Sequence, residues 1–231
     1  IFIAVNTYAM KKTLISFVLV VASCVCASAV TYHTDPTDSE AATEVYGKPD
    51  KRKADRPANY AGNRVRFKAL LYYSTHVEDA HAQFAQQSIE FFRKLAYGEG
   101  YSLDVTTNFS EYPYEKLKEY DVVIMPNVTP WAPEERAAFE QYMKNGGGWV
   151  GFHAAAYNDR HTNWPWLLEF LGGGVFLCNN WPPQPVLLEL DTQDHQVTKN
   201  LPKEFVAPAS EWYQWTPSPR DNDDIQVLAS L

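Results

Sequence analysis

Short apolar runs separated by polar turns recur along this chain from about residue 64 onward. The first, Phe67 to Tyr73 within "RVRFKALLYYS", predicts a strand. A helical pattern follows. Phe84, Ser88, Phe91, Phe92 and Leu95 fall at three- and four-residue spacing and so share a face, with Gly98 placed to stop the helix. "SLDVTTN" alternates as a strand does, and "DVVIMPN" is a continuous apolar run, the form a strand takes when both its faces are covered. A second helix then has every expected signal. Pro133 suits its first position, Glu134 and Glu135 the positive end of its dipole, Phe139 and Met143 stack at i and i+4, and Asn145-Gly146 ends it. Trp149 to Phe152 and Val186 to Leu190 complete the predicted strands.

Strand, helix, strand, strand, helix, strand predicts an α/β domain, doubly wound around a mostly parallel sheet. Ligands of such sheets bind beyond the carboxyl ends of the strands, near the point where strand order reverses. His76 follows the first strand, Asn127 the third and His153 the fourth, so the pattern offers all three to one crevice.

The ends of the chain read differently. Residues 1–29 are a leader: Met10-Lys11-Lys12, an apolar run from Leu14 to Cys26, then Ala27-Ser28-Ala29 as a small-x-small cleavage site. Residues 1–9 precede its methionine and read as a misplaced start or a gene fragment. The apolar run is short for a membrane span, which needs about 20 residues, so export is expected. Val21-Ala22-Ser23-Cys24 also resembles a lipobox. The expected location is therefore periplasmic or secreted, or alternatively at the membrane through a lipid anchor on Cys24. Residues 30–63 are polar, rich in Pro, Asp, Lys and Thr, and read as a tether. The folded domain is expected over 64–231.

Charge and cysteine content then exclude some chemistry. The formal charge of −8 falls to −10 once the leader takes Lys11 and Lys12 and no acid with it, which argues against nucleic acid and anionic membrane surfaces as partners. Only Cys178 remains beyond the leader, so neither an internal disulfide nor a cysteine-rich zinc site is available.

Several side chains suit chemistry. His153, at a strand end, fits acid/base work or metal binding, or merely caps the strand. His76 and His195 are further candidate ligands for a divalent metal such as zinc, and Asp194 can orient the ring of His195. Glu211, in "SEWYQW", is the best acid/base carboxylate, because enclosure by Trp212, Tyr213 and Trp215 would desolvate it. Trp164, Trp212, Tyr213 and Asn127 are candidate substrate contacts, with Trp164-Pro165-Trp166 either an aromatic platform over His153 or the start of a helix ending at Leu171 and Gly172. The glycine run Gly146 to Gly148 precedes a strand and does not open a helix, so it is not a phosphate loop.

"NGGGWVGFHAAA", "DHQVTKNLP" and "SEWYQW", in this order, resemble the ThuA-like, or trehalose-utilisation, family over about Phe67 to Leu231. The resemblance implies a flavodoxin-like sheet similar to that of class I glutamine amidotransferases, and a small-molecule carbohydrate as substrate. It does not imply cysteine-dependent amide transfer, since no predicted strand end carries a cysteine. This chain also has His195-Gln196 where the family commonly has His-Pro, and Ser210-Glu211 where it often has Asp-Glu. The family continues into a late strand and a Gly-His block, so the end at Leu231 implies a truncated gene. The expected function is processing of trehalose or another glycoside by a hydrolase, lyase or isomerase. A non-catalytic carbohydrate-binding or interaction domain of the cell envelope is the alternative.

Overall fold

The computed structural model describes residues 3–6, 18–19, 65–159 and 161–231. The expected tether, the cleavage site at Ala27 to Ala29 and Cys24 lie outside the described residues. Within the expected leader, Ile3–Asn6 and Val18–Leu19 are strands antiparallel to one another, and Ile3–Asn6 also pairs with Ile225–Val227. Cleavage after Ala29 would take that partner from Ile225–Val227.

Four strands, β1 (Lys68–Tyr72), β2 (Ser102–Thr106), β3 (Val122–Met125) and β4 (Gly148–Gly151), form a parallel sheet in the order β2-β1-β3-β4. Helix α1 (Asp79–Glu99) connects β1 to β2, the short α2 (Tyr114–Leu117) precedes β3, and α3 (Pro133–Lys144) connects β3 to β4. This is the doubly wound α/β architecture expected from the sequence, in the flavodoxin-like order, whose switch point lies between β1 and β3. The period of two sorts its core. Leu70, Tyr72, Val123, Met125 and Trp149 pack with Phe139, Tyr142 and Met143 of α3, while Ala69, Leu71 and Ile124 pack with Ile89 and Ala96 of α1.

Helix α3 matches its sequence signals, and its Glu135 carboxylate accepts the backbone N–H groups of Trp131 (3.0 Å) and Ala132 (3.1 Å). Helix α1 departs from expectation in two ways. Its buried face is Ala85, Ser88, Ile89 and Ala96, while Phe91 is 57% exposed and Leu95 is also exposed. Small residues let the helix approach the sheet closely; Phe84 and Phe92 still pack against this core as expected, and Phe91 and Leu95 fall outside it. The helix also runs through Gly98 and ends at Gly100, whose φ of 72° lets its N–H reach the Ala96 carbonyl.

The glycine run has a packing cause. A Cβ on Gly147 would lie 2.3 Å from the Tyr142 ring, and one on Gly148 would lie 2.8 Å from the Asp121 carbonyl oxygen. The Tyr142 hydroxyl donates to the Gly148 carbonyl at 3.0 Å, tying α3 to the start of β4.

Helix α4 (Pro165–Phe170) follows, and beyond it the parallel pattern stops. The remaining strands are β5 (Val175–Asn179), β6 (Gln184–Leu190), β7 (Glu204–Ser210), β8 (Tyr213–Thr216), β9 (Ile225–Val227) and β10 (Ala229–Ser230). All their pairings are antiparallel: β5 with β8, and β6 between β7 and β10. In β6, Leu188 and Leu190 are buried while Leu187 and Glu189 are exposed, the alternation of a strand covered on one side. No helix among the described residues is long and apolar enough to cross a membrane.

Candidate functional site

His153 stands where β4 turns into a short 3-10 helix, His153–Ala156. Phe152 is still extended and sends its ring between Phe84 and Phe92 of α1, at centroid distances of 5.7 and 6.1 Å. His153 then adopts φ 44°, the left-handed region. That conformation costs a residue with a Cβ about 1–2 kcal/mol, and strain of this kind concentrates at functional sites. A histidine thus holds the strained corner at which the last parallel strand turns into a helix.

The ring is 6% exposed and has three neighbours of note. Tyr213 Oη lies 3.0 Å from Nε2, Glu211 Oε2 lies 3.8 Å from the same nitrogen, and the His81 ring meets it edge-on at 5.0 Å between centroids. Burial, with His81 adding to it, lowers the His153 pKa to about 4, so the imidazole is neutral at pH 7. Nδ1 is buried without a hydrogen-bond partner. A buried, unpaired N–H is the costlier orphan, so we assign the proton to Nε2, which donates to Tyr213 Oη. The Tyr213 hydroxyl in turn donates to Glu211 Oε2 at 3.4 Å. The relay ends on a carboxylate whose side chain keeps 25% exposure.

Glu211 and Tyr213 arrive from the antiparallel half. The turn between β7 and β8 is clamped by Asn180, whose Oδ1 accepts the Trp212 N–H at 2.6 Å and whose Nδ2 donates to the Ser210 carbonyl at 3.4 Å. Phe176 and Tyr157 pack against the Tyr213 ring at 5.0 and 6.1 Å.

The structure therefore brings together His153, Tyr213 and Glu211 among the residues expected from sequence, and separates the others. Of the three aromatic residues expected around Glu211, Tyr213 meets its carboxylate through the hydroxyl, and the side chain keeps 25% exposure. Asn127 is buried at the switch point, where Oδ1 accepts the Ser74 N–H (3.0 Å) and Nδ2 donates to the carbonyls of Ser74 (2.9 Å) and His81 (3.2 Å). Those bonds occupy its amide in holding the loop after β1, in place of the substrate contact expected. His76 is exposed on that loop, and the histidine that meets His153 is His81 instead. His81 is the second histidine that the stretch "STHVEDAHAQF" offers beside Glu78 and Asp79, and the first turn of α1 brings it to the site. His195 sits in a turn of its own, where Nδ1 accepts the Val197 N–H at 3.2 Å.

Both tryptophans expected as sugar contacts are buried. Trp164 packs in the α3 core with its indole N–H on Glu140 (2.8 Å), and Trp212 packs with Leu188 and Ala207 with its N–H on the Gln184 carbonyl (2.6 Å). Their N–H groups are satisfied and their faces covered, so neither is a platform. Among the described residues no three His, Cys, Asp or Glu side chains are grouped so as to hold a metal ion. The expected trio His76, His153 and His195 forms no such group.

Comparison with known proteins bears on this arrangement. No curated protein matches the chain. A ThuA-like protein from Bacteroides uniformis ATCC 8492 is 69% identical, with a TM-score of 0.71, over 76% of this chain and 71% of that one. A ThuA-like protein from Parabacteroides merdae ATCC 43184 is 18% identical over 64% of this chain and 62% of its own, with a TM-score of 0.47. A GMP synthase component from Thermoplasma acidophilum is 12% identical over 72% of this chain and 74% of its own, with a TM-score of 0.42. The family profile described as trehalose utilisation, ThuA, matches residues 68–231, from the first parallel strand to Leu231, and so includes the turn that carries Glu211 and Tyr213. That match takes in the parallel sheet and the antiparallel strands together, and the chain belongs to the ThuA, or trehalose-utilisation, family.

Proposed function

We propose that this domain is an acid–base enzyme acting on a saccharide of the disaccharide or glycoside class, with Glu211 as the group that meets the substrate proton. The observation that carries the reading is the Tyr213 hydroxyl bridging His153 Nε2 at 3.0 Å and Glu211 Oε2 at 3.4 Å. Glu211 is the member of the relay that reaches solvent. Its carboxylate takes a proton from a bound sugar, and the Tyr213 hydroxyl, directed at it, steadies the charge it carries before that transfer. His153 stays neutral behind them and holds the tyrosine oxygen by donation from Nε2, so the relay needs no buried charge. The family's description as trehalose utilisation supports the substrate class. The leader pattern of residues 1–29 supports export, free or anchored through Cys24, as part of the same proposal.

Proton nuclear magnetic resonance of trehalose, maltose and cellobiose incubated with the full chain in deuterated water tests this. Cleavage, rearrangement or deuterium entry at a sugar carbon, abolished by Glu211→Gln, is the expected result. Sugar binding with neither product nor exchange would make the domain a carbohydrate-binding module instead.

A further inference from the structure

We infer that Trp181 is the stacking platform of this site, taking the apolar face of a pyranose ring beside Glu211; the inference rests on the saccharide reading above. Trp164 and Trp212 are buried and Tyr213 is taken up by the relay, whereas Trp181 offers an indole at 76% exposure. Its place is fixed by the residue before it. Asn180 bonds the backbone on both sides of Glu211, at Trp212 N–H and the Ser210 carbonyl, so residue 181 leaves directly from the clamp that holds the carboxylate. A third bond, from Asn180 Nδ2 to the Pro182 carbonyl at 3.2 Å, closes the turn around Trp181 itself. Pro182 and Pro183 follow and restrict the backbone further. Leu177, also exposed on β5, extends the apolar surface on that strand.

The indole of Trp181 is thus presented to solvent from a constrained turn. A rigid aromatic ring with a free face, next to a polar group that fixes orientation, is how binding sites combine apolar contact with direction. Trp131, exposed as well, differs in this respect: Arg136 lies over its ring at 5.8 Å, and its backbone N–H is held by Glu135, not by the turn that carries Glu211.

Calorimetric titration of trehalose, maltose and cellobiose into the full chain, W181F and W181A tests the inference, with circular dichroism to check folding. Because the side chain is exposed, both variants are expected to fold. The platform predicts that W181A weakens binding on the order of tenfold, the equivalent of one aromatic contact, while W181F retains most of it. Unchanged affinity in W181A overturns the platform and leaves the acid–base reading standing. Failure of the wild-type chain to bind any of the three sugars overturns both.

Discussion

Tyr213 Oη stands 3.0 Å from His153 Nε2, and this contact joins the parallel sheet to the antiparallel strands at the candidate site. His153 comes from the end of β4 and Tyr213 from the start of β8, so neither half of the domain holds the relay alone. Removing the hydroxyl should therefore act twice. Tyr213→Phe leaves Nε2 buried without a partner, at a cost of about 1–3 kcal/mol, visible as a lower midpoint in chemical denaturation. It should also lower turnover of the sugar substrate by roughly 10²–10⁴-fold. A Phe variant with wild-type stability and turnover would show that the contact is incidental.

The neutral state of His153 makes a pH prediction. An unfolded histidine takes its proton near pH 6.5, the folded one only near pH 4. Between those values the unfolded chain holds more protons, so unfolding becomes easier as pH falls, and the loss levels off below about pH 4. Its full extent is about 3 kcal/mol, and above pH 6.5 this group contributes no slope. Thermal melts from pH 7.5 to 4 should show a shallower decline in His153→Asn, chosen because asparagine tolerates the left-handed conformation. Parallel curves for the two proteins would mean that His153 titrates normally.

Much of this fold was legible because the signals were local. Pro133, Glu135 and the Phe139–Met143 pair specify α3, and the apolar run Val122 to Met125 announces a strand covered on both faces. Which face a side chain presents was harder to read. In α1 the expected Phe91 and Leu95 yield to Ala85 and Ala96, because closeness to the sheet selects small residues and hydrophobicity alone does not register it. Trp164 and Trp212 looked like ligand surface for the same reason: burial of a tryptophan depends on a distant acceptor, Glu140 or the Gln184 carbonyl, that spacing does not reveal. The Asn180 clamp on Glu211 joins positions some thirty residues apart, so only the folded chain exhibits it.

Two glycines should respond in opposite directions to the same substitution. Gly148→Ala drives a methyl to 2.8 Å from the Asp121 carbonyl oxygen, which is backbone and already accepts the Gly148 N–H at 3.0 Å. Relief requires β3 and β4 to shift, at about 1–3 kcal/mol. Gly98→Ala, inside α1 with nothing within 4 Å of the new atom, should stabilise by about 0.5–1 kcal/mol. Urea titration of both variants gives the comparison. Equal effects would contradict the crowding assigned to the glycine run.

The last prediction concerns Asn127, which occupies the switch point without facing the relay. Its amide holds Ser74 through both N–H and carbonyl, and reaches the His81 carbonyl at 3.2 Å. Asn127→Ala would leave the Ser74 N–H and two carbonyls without this partner, in a place where the side chain is buried. The penalty should be at least about 2 kcal/mol. Its signature should be local as well as global, because the loop between β1 and α1 leads into the first turn of α1, which carries the histidine that flanks His153. Hydrogen exchange should accelerate from Ser74 to Ala82 ahead of the sheet, and the His153 ring should lose the edge contact that helps keep it neutral. Asn127→Asp separates the two roles of the amide: its carboxylate can still accept from Ser74 but cannot donate to the carbonyls, so exchange should rise at His81 more than at Ser74. Uniform acceleration over the whole domain in both variants would place Asn127 in the general core and remove its role in setting the His81–His153 contact.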